Sequence, residues 1–147
     1  MIKQFKLNNK DDSWLNEIDI LKQVEHKNIL RMLAISVDVQ KQNGLFCCEY
    51  MQTDLETVYK NNQIKSIKTI VGLARQISLA MVYLNKKYII HRDIRCKNVF
   101  TNEHFFVKLA NFGLSKNLDS NGEYKIKSDI QESIIEIFLL HIKVRQI

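Results

Sequence analysis

The chain has 147 residues, 46% hydrophobic and 26% charged, with four glycines and no proline. That length allows one domain with a real core, and the composition excludes an intrinsically disordered chain, a collagen-like repeat and a disulfide scaffold. Lys and Arg number 22 against 16 Asp and Glu, but the basic residues are dispersed and not interleaved with aromatics, so no nucleic-acid partner is expected.

Proline at its usual ~5% would give about seven residues. Its absence means either nearly unbroken regular structure or missing loops. Cys47, Cys48 and Cys96 form no Cys-x-x-Cys pair. They read as reduced thiols of a cytoplasmic protein. The N-terminus lacks the apolar stretch of a signal peptide. The longest apolar run, near Ile134 to Ile142, is too short to cross a bilayer, so no membrane segment is expected.

In chain order, residues 2–7 predict a short strand. Asp11, Asp12 and Ser13 are N-cap candidates for a helix whose apolar face is Trp14, Ile18, Leu21 and Val24. Residues 30–39 and 44–51 are rich in strand formers, with Asn43-Gly44 between them as a hairpin signal. Asn61 to Lys65 is the polar stretch nearest a lobe boundary. A long helix follows, started by Ser66, with Ile67, Ile70, Val71, Ala74, Ile77, Met81 and Leu84 on one face. Lys86 and Lys87 suit its electronegative C-terminal end. Short strands are expected at 88–90, 98–101 and 105–110, with a turn at Thr101 to His104. A last helix starts at the capping box Ser128-x-x-Gln131 and runs through Ile130, Ile134, Ile137, Phe138 and Ile142.

Three segments carry chemistry: His91-Arg92-Asp93-Ile94-Arg95-Cys96-Lys97-Asn98, then Asn111-Phe112-Gly113 after Val107-Lys108-Leu109-Ala110, and Lys3 with Glu17. In these segments the sequence resembles the protein kinase family. His-Arg-Asp-x-x-x-x-Asn is that family's catalytic loop, and Asn-Phe-Gly stands where the family has Asp-Phe-Gly. Ile2-Lys3 is similar to the end of the lysine-bearing strand. Asn16-Glu17-Ile18 and His26-Lys27-Asn28-Ile29 resemble the C-helix and the turn after it. Cys48-Glu49-Tyr50-Met51 resembles the gatekeeper and hinge, and Lys127-Ser128-Asp129-Ile130 the start of the F-helix. Arg95 and the Lys-Ser-Asp-Ile block lean towards the tyrosine kinases.

The resemblance implies an α+β, truncated bilobal protein-kinase-like fold. It has a small, reduced antiparallel β-sheet with the C-helix in a partial N-lobe (1–52), then a mostly helical partial C-lobe (53–147). It also implies roles. Lys3 contacts the phosphates of ATP and pairs with Glu17. Cys48 borders the adenine, which the backbone of Glu49 and Met51 hydrogen-bonds. Asp93 accepts the substrate hydroxyl's proton, and Arg95 supports the loop and the transferring phosphate. Asn98 and Asn111 occupy the Mg²⁺ positions. His91 packs structurally under Phe112, in a column with Leu21 and Met32 anchored by Asp129.

The departures count as much. Asn111 replaces a charged ligand by a neutral amide, and Mg²⁺ prefers carboxylates. None of Gly44, Gly72, Gly113 and Gly122 forms a Gly-x-Gly-x-x-Gly loop, and only 15 residues separate Gly113 from Asp129. An Ala-Pro-Glu segment is not visible there. ATP and Mg²⁺ are thus implied by the family, with weakened binding. Three readings follow: a pseudokinase that binds a protein partner, an active tyrosine kinase with a protein substrate and Asp93 as base, or a fragment of a longer kinase without function of its own. The strand at Lys3 would form an unpaired edge and the last helix an uncovered apolar face, both surfaces for self-association.

Overall fold

The computed structural model describes residues 1–7 and 13–118. The last helix, its capping box and Asp129 lie outside the described residues, as do Asp11 and Asp12.

Strand β1 (Ile2–Lys6) is followed by helix α1 (Ser13–Gln23), β2 (Met32–Asp38) and β3 (Asn43–Cys48). These strands form an antiparallel sheet of order β1-β3-β2. β1 is therefore an edge strand. Helix α1 turns Glu17, Ile18, Ile20 and Leu21 inward and ends with Lys22 in its last turn, where a cation meets the negative end of the dipole. Ser13 is its first helical residue.

The hairpin between β2 and β3 differs from expectation. Its loop is residues 39–42, with Gln42 at φ 53°, and Asn43 and Gly44 lie within β3, paired with Asp38 and Val37. Gly44 serves packing instead of turning. A Cβ there would stand 1.9 Å from Cζ of Phe5. The Phe5 ring fills that space and stacks on Trp14, with centroids 3.8 Å apart.

Strand β4 (Thr53–Asp54) begins a second sheet, of order β4-β6-β7, with β6 (Val99–Thr101) and β7 (Val107–Leu109). Asp54 caps α2 (Leu55–Lys60) by accepting from the N–H of Thr57 at 2.9 Å. This six-residue helix is too short to show a period, so the sequence gives no sign of it. Asn61 to Lys65 join α2 to α3 (Ile67–Lys86), which is capped by Ser66 through the N–H of Thr69 at 3.1 Å.

Helix α3 buries Leu73, Ile77, Ala80 and Leu84, whereas Ile67, Val71, Ala74 and Met81 face outward. The helix is apolar around much of its circumference, so two stripes compete. The second sheet and β5 (Ile89–Ile90) cover the one through Leu73. Among the described residues, α3 is the one helix long and apolar enough to span a membrane by length and composition. Here it packs against β5 and β7 as a core helix. Finally β5 pairs with β8 (Lys116–Asn117).

One buried loop welds the two sheets together. The N–H of Leu30 donates to the carbonyl of Leu109 at 2.8 Å, and the N–H of Leu109 to that of Asn28 at 2.8 Å. The Asn28 side chain donates to the carbonyl of Val107 at 2.8 Å and to Oε1 of Gln76 at 3.1 Å. Gln76 also accepts from the N–H of Val107 and donates to the carbonyl of Phe105. A continuous apolar core runs from Phe5 and Phe46, through Ile18 and Leu30, to Leu109 and Leu84.

Candidate active site

The expected site residues gather in three groups. In the first, Nζ of Lys3 lies 2.5 Å from Oε1 of Glu17. Glu17 is only 5% exposed, and a carboxylate so buried is tolerable only with a cation at hand. The strand β1 and helix α1 thus meet at this pair. The Lys3 ammonium also sits 5.5 Å from the centroid of Phe46.

The second group is a relay of polar side chains in and after the loop at 91–98. Asn98 lies in a single 3₁₀ turn, Cys96–Asn98, which directs its side chain back into the loop. Its Nδ2 donates to the backbone carbonyl of Asp93 at 2.8 Å and to Oδ2 of Asp93 at 2.7 Å. The other carboxylate oxygen of Asp93 is 3.1 Å from Nε of Arg95. Asn111 then donates from Nδ2 to Oδ1 of Asn98 at 3.0 Å. Arg95, Asp93, Asn98 and Asn111 form one chain of contacts, with Asp93 and Asn98 buried.

His91 holds this relay from beneath. Its Nε2 donates to the carbonyl of Ala110 at 3.0 Å, and its Nδ1 accepts from the N–H of Asp93 at 3.2 Å, which fixes a neutral tautomer. Burial pushes its pKa down to about 4. Its ring meets Phe112 edge-on with centroids 4.7 Å apart. Leu21 is buried and Met32 half-buried. Arg92 donates from Nε to the carbonyl of Leu114 at 2.5 Å.

The third group is the segment between β3 and β4. Cys48 is buried, and burial pushes its thiol up to about 11, so it is an inert core group. Cys47 and Cys96 are half-buried. The N–H of Glu49 is used by the carbonyl of Arg31 at 3.0 Å, and its own carbonyl lies 3.4 Å from the amino group of Met1. The Glu49 carboxylate accepts from the N–H of Arg31 and from Nζ of Lys108, both at 2.7 Å. Met51 is half-buried beside the core.

Three contributors are not apparent from the sequence: Asn16, Gln76 and Lys108. Each acts through a partner far along the chain. The one sequence signal is Gln76 itself, a polar residue between Leu73 and Ile77, both of which α3 buries.

Among the described residues, no group of three or more His, Cys, Asp or Glu side chains is placed to hold a metal. The relay offers two neutral amides, already joined to each other, and one carboxylate, already engaged on both oxygens.

Comparison with known proteins gives one consistent picture. The family of protein tyrosine and serine/threonine kinases matches residues 1–136. The chain is similar to a CTD kinase subunit alpha of Schizosaccharomyces pombe, 34% identical over 120 residues, covering 78% of this chain and 20% of that protein. It is similar to the tyrosine-protein kinase receptor svh-2 of Caenorhabditis elegans, 31% identical over 121 residues, covering 80% and 11%. It is also similar to the tyrosine-protein kinase JAK1 of Danio rerio, 28% identical over 139 residues, covering 90% and 12%. The chain thus spans between about a tenth and a fifth of these relatives' lengths.

Proposed function

Because the chain belongs to the protein kinase family, we propose that it is a tyrosine-kinase-like domain that binds ATP but transfers phosphate poorly, and that it works as a protein-binding module in the cytoplasm. The observation that carries this reading is Asn111. It stands at the metal-binding position of the family's motif, and its amide is bonded to Asn98.

Phosphoryl transfer depends on positioning and on neutralising phosphate charge, which Mg²⁺ supplies in this family. The residues that would hold it here are Asn98 and Asn111. They bring no negative charge, and Mg²⁺ binds through carboxylates in preference to amides. This donor set fits the ion poorly, and no step is routed through it. Binding would rest on Lys3, which Glu17 holds in place, and on the backbone of Met51 beside Cys48, because the N–H of Glu49 bonds the Arg31 carbonyl and its own carbonyl already faces the Met1 amino group. The tyrosine-type assignment is supported by Arg95, two residues after Asp93. Relatives of both specificities match the chain. The edge strand β1 is the proposed surface for self-association.

One observation favours an enzyme instead. Asp93, Arg95 and Asn98 are assembled, and Lys3 is paired with Glu17. A thermal-shift titration with ATP, with and without Mg²⁺, joined to a transfer assay on tyrosine and serine peptides, separates the two. The proposal expects an ATP shift that Mg²⁺ does not deepen, and no transfer. Transfer that vanishes in Asp93→Asn establishes the enzyme.

A further inference from the structure

Asn16 and Glu17 are neighbours on α1, yet their side chains leave the helix for different elements. Glu17 reaches Lys3 on β1. Asn16 places its Nδ2 3.0 Å from the carbonyl oxygen of Phe112, 2.9 Å from that of Gly113 and 2.8 Å from that of Ser115. A side-chain amide has two N–H donors. Three carbonyls therefore share two hydrogens, and at least one bond is three-centred.

The oxygens belong to a turn closed by the N–H of Ser115 on the carbonyl of Phe112 at 3.0 Å. This turn touches α1 a second time. A Cβ on Gly113 would stand 3.2 Å from Cβ of Ser13 and 3.3 Å from its carbonyl oxygen, so the first turn of the helix rests on Gly113. The opposite side is held by Arg92 on the carbonyl of Leu114 and by Oγ of Ser115 on the carbonyl of His91. Carbonyl oxygens converging on one point require donors, and Asn16 supplies them.

We propose that Asn16 is a positioning residue of this site. Its amide fastens the turn after Asn111 to α1, so one helix sets both the Lys3–Glu17 pair and the Asn111–Asn98 pair. The fastening itself is independent of nucleotide. Only its effect on ATP rests on the function proposed above.

The test is amide hydrogen exchange on the full chain, comparing wild type with Asn16→Ala and Asn16→Asp, and Asp19→Asn as an exposed control on the same helix. The aspartate keeps the shape but turns an acceptor towards three acceptors. Both Asn16 variants are expected to speed exchange at Gly113 to Leu118 by about tenfold or more, with α3 amides at their wild-type rates. Wild-type rates in that turn overturn the proposal. Variants that unfold leave a second measurement in the wild type, exchange of the Asn16 side-chain N–H₂ protons by NMR. Slow exchange supports the fastening, and exchange as fast as in a free asparagine overturns it. In the same samples, an ATP shift in wild type that weakens in the Asn16 variants supports the link to the site, and one that is undiminished overturns that link. A wild type without any ATP shift overturns the nucleotide reading and leaves the fastening standing.

Discussion

Asn111 donates its side-chain amide to Oδ1 of Asn98 across 3.0 Å, so a hydrogen bond between neutral groups joins the loop at 91–98 to the turn after β7. An aspartate at 111 would have no donor for that oxygen and would add a second negative charge near Asp93. Asn111→Asp is therefore expected to lose about 1 kcal/mol without metal and to recover it with Mg²⁺ or Mn²⁺. Thermal midpoints with and without each ion check this. Wild type should show no such dependence. In this chain, where none of the four glycines forms a Gly-x-Gly-x-x-Gly loop, the substitution alone should not restore phosphate transfer.

Lys3→Met leaves the Glu17 carboxylate buried without its partner. The expected loss is about 3 kcal/mol, as for other buried pairs broken on one side. Glu17→Gln should cost less, and Lys3→Met with Glu17→Leu should recover much of the loss. Urea denaturation of the three variants measures the order. If Lys3→Met proves neutral, the pair is solvated and the burial of Glu17 is not holding it.

His91 makes stability depend on pH. Its folded pKa, about 4, lies below the ordinary 6.5 of an unfolded histidine. The unfolded chain therefore binds the proton first. Stability is full above pH 6.5 and falls as pH drops towards 4, by on the order of 3 kcal/mol. His26, whose pKa is lowered mainly by burial, acts in the same direction. His91→Gln should flatten more of the slope than His26→Gln when denaturation is followed from pH 7 to pH 4.5.

Gly44→Ala sets a methyl group against the Phe5 ring and must push it off Trp14. A cost of about 1–3 kcal/mol is expected, as for other overpacked cores. Trp14 is the chain's one tryptophan, so its fluorescence reports the broken stack directly.

What could be read from the sequence was what chemistry or period fixes locally. Lys3 with Glu17, and Asp93 with Asn98 and Asn111, could be brought together because their segments resemble the kinase family's motifs, which implies these groupings. The strands expected at 2–7, 30–39 and 44–51 are found at 2–6, 32–38 and 43–48. The hairpin misled because Asn-Gly is a turn signal only where no ring needs the glycine. The exposed stripe of α3 misled because an apolar helix has more than one candidate face, and only its neighbours choose. Asn16 and Gln76 were illegible for a third reason. An amide's role is set by which distant carbonyls face it, and local sequence does not encode that.

Asn111 sits at φ 67°, a left-handed conformation that asparagine and aspartate both tolerate better than other non-glycine residues. Their codons differ by one base. A single nucleotide change, in either direction, can thus alter the charge at this point with little backbone cost. The charge at this point can therefore change while the backbone that carries it stays in place.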